Sequence, residues 1–260
     1  LTTRQVRVAI ASALLVLLVQ PATAVAAADD CAPTGAAPGD RFADFADLAA
    51  HEREGTDYRV TARRGVGGGA EVVQLAIHGG GIEPPTTQLA DYSARMTGSS
   101  FYSFEAVGNG DPRDLHVTAT HFDDPRALTL VGAARYTVSW HGAAGVEPLT
   151  YVGGLDSDAV RWVTEALRAG GFPVAVRNPA ALAGRQPCNI ANRDQRGAGV
   201  QLEISQGQRR QFVKDGDLGR DRISDPRFRT PAFYAYTAAV LSALHAAIAA
   251  PIAAPSPPAG

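Results

Sequence analysis

Lysine is nearly missing from this 260-residue chain: of its 24 basic residues only Lys214 is a lysine, and the other 23 are arginines. Positive charge is not in excess either. Those 24 cations face 26 acids, for a formal net charge of -2, which argues against a dedicated nucleic-acid binder. Cysteine is scarce, with two residues, so a disulfide-dense miniprotein is excluded, and Cys31 and Cys188 lie too far apart for a zinc motif. No G-x-S-x-G elbow and no Ser/His/Asp order stands out. The glycine run Gly65–Gly69 precedes a strand rather than a helix, which excludes a phosphate cradle. Hydrophobic residues make up 45% of the chain, enough for a real core and too many for a disordered or collagenous protein.

Long apolar runs are also lacking. The run from Val8 to Val19 is 12 residues, against the ~20 that a membrane-spanning helix needs. Arg4 and Arg7 precede it, and the small residues of Ala22-x-Ala24 or Ala24-x-Ala26 follow it, the pattern of a secretory signal peptide over 1–26. Its removal takes away two arginines and no acid, leaving 22 cations against 26 acids and a net charge of -4. The expected product is a secreted, extracellular protein with no stable membrane anchor. An oxidising compartment permits one bridge between Cys31 and Cys188. Residues 27–40 read as an N-terminal linker and 250–260 as a Pro/Ala-rich tail, which leaves one domain over 41–249.

Within that domain apolar strand-like runs alternate with helix-period segments. Glu71–His78, Phe101–Ala106, Leu115–Thr118, Tyr136–His141, Leu149–Val152, Val174–Val176 and Val200–Ile204 read as strands; Thr86–Met96, Pro125–Ala134, Ser157–Ala169 and Phe233–Ala249 read as helices. The alternation predicts an α/β fold, a mixed-sheet sandwich with helices on both faces. In such folds ligands gather beyond the carboxyl ends of strands.

Two histidines stand at such ends, His78 before Gly79-Gly80-Gly81-Ile82-Glu83 and His141 before Gly142. The glycines let the chain turn so that Glu83 converges with His78, and two imidazoles with one carboxylate form a His₂Glu set suited to one Zn²⁺ with a position open for water. Glu203 interrupts an apolar strand on the same face as Gln201 and Ser205, where an acid is either a satisfied edge carboxylate or a general base. Arg193, Arg209 and Arg210 cluster nearby, either as a solvated loop or as forks for substrate carboxylates. His116 and His121 with Asp123 and Asp124 form a competing metal set, while His51 and His245 lie in expected helices and read as structural.

The runs His78-Gly-Gly-Gly-Ile-Glu83-Pro, Leu115-His-Val-Thr with His121-Phe-Asp, Val138-Ser-Trp-His141-Gly, Tyr151-Val-Gly-Gly-Leu-Asp156, Asn189-Ile-Ala-Asn-Arg193 and Gly199-Val-Gln-Leu-Glu203-Ile-Ser, with Arg209 after them, resemble the poly-γ-glutamate hydrolase family of phage enzymes and bacterial homologues. The similarity covers about Asp44 to Phe212. It implies a zinc-dependent amidohydrolase with a carboxypeptidase-like core. In it His78, Glu83 and His141 hold the metal, Glu203 is the catalytic base, and Arg193 and Arg209 are substrate-binding, a looser transfer. The expected partner is a polyanionic γ-glutamyl polymer or peptide, and the expected state is a monomer. Two other readings stand beside it: a zinc peptidase acting on peptidoglycan stem peptides or other peptides, and a non-catalytic polyanion-binding module.

Overall fold

A computed structural model describes residues 31–249, so the expected signal segment, the start of the linker and the tail from 250 lie outside the described residues. The chain runs α1 (Phe45–His51), β1 (Tyr58–Arg63), β2 (Val72–Gly80), α2 (Thr86–Thr97), β3 (Ser100–Ala106), α3 (Pro125–Ala133), β4 (Tyr136–Ala143), β5 (Thr150–Gly154), α4 (Ser157–Ala169), β6 (Val200–Ser205), α5 (Gln206–Arg210), α6 (Arg220–Ser224) and α7 (Pro231–Ala249). The strands form one six-stranded sheet in the order β1-β3-β2-β4-β6-β5. The four central strands are parallel, and β1 and β5 close the edges antiparallel. The fold is the mixed α/β sandwich expected.

Strand alternation splits the core in two. Val72 and Ala76 of β2 and Val138 and Trp140 of β4 face one layer, built with α2, α4 and α7. Val73, Leu75 and Ile77 face the other, built with α1 and α3. Helix α4 shows the logic: Ala159, Val163 and Leu167, one turn apart, form its buried stripe, and the Asp156 carboxylate accepts the Ala159 N–H at its start. Helix α7 has the length and composition to cross a membrane, but Phe233, Tyr236, Val240 and Leu244 bury one side of it in the first core.

Two expectations need correction. Leu115–Thr118 is not a strand: Asp111 caps a 3₁₀ turn over Pro112–Leu115, and the Asp40 carboxylate then takes the Thr118 N–H that a sheet neighbour would have used. Val174 contributes one isolated bridge to Thr150 instead of a strand. The structure also adds β1, an edge strand in which only Tyr58 is fully buried, and ties in the segment just before 41 through a Cys31–Cys188 disulfide and Asp40.

Candidate metal centre

From β2 the chain turns through α2 to β3 on one side, whereas β4 leads on to β5 and β6 on the other. The sheet therefore has its switch point between β2 and β4, and a crevice opens at their carboxyl ends. His78 sits near the end of β2 and His141 near the end of β4, and in β6 Glu203 stands directly opposite His141 in register. Plain alternation would turn His78 away from this site, toward the layer of Ala76. A β-bulge prevents that: between the pairs Ala76↔Ser103 and Gly79↔Glu105, β2 carries one more residue than β3. The extra residue re-aims His78, and its Nδ1 comes 3.0 Å from Nδ1 of His141.

Glu83 arrives by a turn. Gly80 takes φ +61° with its α-carbon packed on the end of β3, where a side chain would meet the Ala106 carbonyl at 2.3 Å. The Glu83 N–H then donates to His78 O at 2.9 Å, and the Thr86 N–H to Glu83 O at 3.1 Å. The carboxylate folds back between the two rings. Its Oε1 lies 3.2 Å from His78 Nδ1, and its Oε2 accepts the Gly142 N–H at 2.7 Å and lies 3.6 Å from His141 Nδ1.

The outer nitrogens of both rings are engaged. His78 Nε2 faces the Val117 carbonyl at 2.9 Å; a carbonyl only accepts, so Nε2 carries the proton and Nδ1 presents its lone pair. His141 Nε2 faces Ser139 Oγ at 2.8 Å, and a hydroxyl serves either tautomer. Ligand atoms of His78, Glu83 and His141 lie within 4.8 Å of one another. Two nitrogen lone pairs and a carboxylate aimed at one point fit a divalent ion such as Zn²⁺. When the two rings are protonated, burial works to raise the Glu83 pKa, but the charge and hydrogen bonding of His78 and His141 outweigh it and hold the group well below the usual carboxylate range.

Glu203 lines the same cleft, a cavity of about 490 Å³. Its Oε1 accepts from Gln201 Nε2 at 2.8 Å, and Gln201 Oε1 accepts from Asn189 Nδ2 at 2.7 Å, a buried chain that fixes the carboxylate's plane. Burial, and after it the Glu83 charge, push the Glu203 pKa well above its ordinary value, against Gln201, His116 and Arg209. Also facing the cleft is His116, its ring centroid 4.0 Å from that of His78 at a tilt of 31° and its Nδ1 paired with Asp40. Asp40, Ser139 and Asn189 are site residues that local sequence does not announce. Gln201 was marked only by sharing a strand face with Glu203.

The expected arginines part company. Arg209 is buried, and its guanidinium donates to three backbone carbonyls: Ile204 (2.9 Å), Pro84 (2.6 Å) and Ala143 (3.1 Å). Its burial lowers its pKa, against the pull of Glu83 and Glu203. It works as a clamp between β4, β6 and the turn after Glu83. Arg193 caps the 3₁₀ turn Ile190–Asn192 and is not among the cleft-lining residues. The competing metal set disperses: His121 Nδ1 binds Ala43 O, Asp123 caps α1 through Phe45 and Ala46, and Asp124 binds Tyr102 and Arg126.

An α/β sheet with a metal-type donor set and an acid at its switch point has the build of an enzyme's active site. Residues 42–239 match the family model for poly-gamma-glutamate hydrolase, and the chain belongs to that family. A bacteriophage poly-gamma-glutamate hydrolase structure superposes with a TM-score of 0.75 at 30% identity, over 80% of this chain and 98% of that one. A zinc-free apo structure of YNDL gives 0.73 at 32% identity with the same coverage of 80% and 98%. Among curated proteins of Bacillus subtilis (strain 168), YndL is 37% identical over 66% of this chain and 66% of its own length, just short of two thirds. YmaC is 32% identical over 79% of this chain and 84% of its own.

Proposed function

We propose that the protein is a secreted, zinc-dependent hydrolase that cleaves the γ-glutamyl amide bonds of poly-γ-glutamate. The observation that carries the metal is the pair of Nδ1 atoms beside the Glu83 carboxylate, with each ring's Nε2 already engaged. The substrate follows from the family and the bacteriophage enzyme, and the choice of zinc is supported by the description of YNDL as zinc-free in its apo form. Secretion rests on the signal-like residues 1–26 and accords with the disulfide.

His78, Glu83 and His141 would hold the ion, which when bound supplies an acidified water and a Lewis acid for the scissile carbonyl. Glu203 acts as the base. Gln201 occupies its Oε1, no second partner among the described residues holds its Oε2, and burial makes the carboxylate basic enough to take a proton. That proton, taken at Oε2 from the attacking water, returns to the nitrogen of the leaving amine. Ser139, Val117 and Gly142 keep the three donors oriented.

Metal content and hydrolysis of poly-γ-glutamate, measured together for wild type, His78→Ala and Glu203→Gln, test this. Wild type should hold about one zinc per chain. His78→Ala should lose both metal and activity, and Glu203→Gln should keep metal while turnover falls roughly 10²–10⁴-fold. Full activity in either variant, or no metal in wild type, removes the mechanism. Release of fragments from isolated cell walls, with free polymer left intact, moves the substrate to stem peptides.

A further inference from the structure

A γ-linked glutamyl chain carries a free α-carboxylate on every residue, yet the cleft that must admit it contains two acids, Glu83 and Glu203. A divalent ion on Glu83 would balance those two acids, but the substrate's α-carboxylates still call for a cation of their own. Of the arginines around the site Arg209 is spent on three carbonyls, and Arg113, on the rim, is forked onto Asp111 through Nε (3.1 Å) and Nη2 (2.7 Å). Arg185 lines the cavity that holds His78, His141 and Glu203, and it is the one arginine or lysine in that lining. It is exposed, and among the described residues its side chain has no hydrogen bond and no ion pair.

Its loop is nonetheless fixed on both sides. Asn192 Nδ2 donates to the carbonyls of Gly184 (2.7 Å) and Gln186 (3.0 Å), the residues flanking Arg185. The Gly154 N–H holds Ala183 O at 2.9 Å, and two residues beyond Gln186 the Cys188 disulfide fastens the loop to Cys31. With the backbone held, only the rotamers of the free guanidinium are left for a ligand to order, a cost of about 0.5–1.5 kcal/mol.

We propose that Arg185 is the specificity-determining cation of the cleft, forking onto the α-carboxylate of a γ-linked glutamyl residue beside the scissile bond. This deepens, and rests on, the γ-glutamyl reading above. Arg185 touches no group that reacts, so its contact is the same in ground and transition state and appears in KM rather than kcat.

Arg185→Ala and Arg185→Lys proteins, checked for unchanged Tm, are compared with wild type on a γ-glutamyl pentamer and on the same pentamer with its α-carboxylates amidated. Two readouts are taken: KM and kcat of the metal-loaded enzyme, and the dissociation constant of each pentamer from metal-free protein. Arg185→Ala should raise KM and Kd for the charged pentamer roughly 5- to 30-fold. Arg185→Lys should recover part of that, and the amidated pentamer should not distinguish the variants. Equal Kd and KM for wild type and Arg185→Ala overturn the proposal while leaving the hydrolase reading intact. Binding without turnover in wild type overturns that reading, and the Kd comparison still decides Arg185. A wild type that neither binds nor cleaves the charged pentamer overturns both.

Discussion

Gly142 follows His141 and lies flat against the Arg209 guanidinium. A β-carbon there would sit 2.6 Å from Arg209 Cζ, 2.7 Å from Nε and 2.9 Å from Nη2, where ordinary contact begins at 3.4 Å. Gly142→Ala must therefore push the guanidinium back by roughly 1 Å. An exposed arginine would yield at little cost. This one is buried and donates at 2.9, 2.6 and 3.1 Å to three carbonyls on different elements, so the shift carries at least one of those bonds past hydrogen-bonding range.

Each hydrogen bond from a charged donor contributes about 1.5–3 kcal/mol, and a buried cation left short of acceptors costs more, so the expected loss is about 2–4 kcal/mol. For a domain of this size that lowers Tm by roughly 5–15 °C. The Gly142 N–H also holds Glu83 Oε2, so metal affinity should fall about tenfold in step. The assay is a thermal-melt cycle of wild type, Gly142→Ala, Arg209→Leu and the double variant. With the guanidinium gone the added methyl has nothing to strike and should cost under about 1 kcal/mol, a coupling of at least ~1 kcal/mol. Strict additivity, or a Gly142→Ala protein melting within two degrees or so of wild type, would refute the clamp.

Two further outcomes follow from groups around the centre. In metal-free protein the Glu203 pKa is raised above its unfolded value by burial and by Glu83, so its contribution to stability is full below the unfolded pKa and is lost as pH rises through the folded one. Glu203→Gln, carrying no titrating group, should melt with a flatter alkaline slope between those values, and parallel wild-type and variant slopes would show that the acid is not strained by burial. Reduction of Cys31–Cys188, whose partners are 157 positions apart, removes a constraint worth up to ~5 kcal/mol by chain entropy. Residues 31–40 bury little, so reduction should first raise hydrogen exchange in that segment and in the 184–189 loop with the sheet still protected; a sheet that exchanges equally fast contradicts a local strap.

Much of the frame could be read before folding because it rests on local pattern. The alternation of apolar runs set the layers, and His-Gly at two strand ends pointed to the crevice. What escaped reading depends on partners far along the chain. Nothing near His78 reveals a bulge, which exists only relative to the register of β3, and without it His78 would face away from His141. Leu115-His-Val-Thr has strand-like composition, yet Asp40, 78 positions from Thr118, claims a backbone N–H that a sheet would need. The β1 strand carries Arg59 and Arg63, and their exposure on an edge hides the period that a buried strand would show.

The arginines make the same point more sharply. With 23 of them, proximity in sequence to a catalytic strand says little about which faces a ligand. Arg209 follows β6 closely and points into the site's framework, where its guanidinium reaches three carbonyls on converging elements. Arg193 follows the Asn189–Asn192 turn, whose asparagines turn inward to Gln201, Gly184 and Gln186 and so use that turn's cleft-facing side. Arg185 lies in a stretch with no periodicity and no motif, and it shares its lack of a side-chain acceptor with other exposed arginines; its distinction is that it lines the cleft. A cation that the protein itself leaves unmatched, on a held loop and in the lining of a carboxylate-bearing cleft, is one an anionic substrate can use, and among the described arginines it is that place in the folded cleft that sets Arg185 apart.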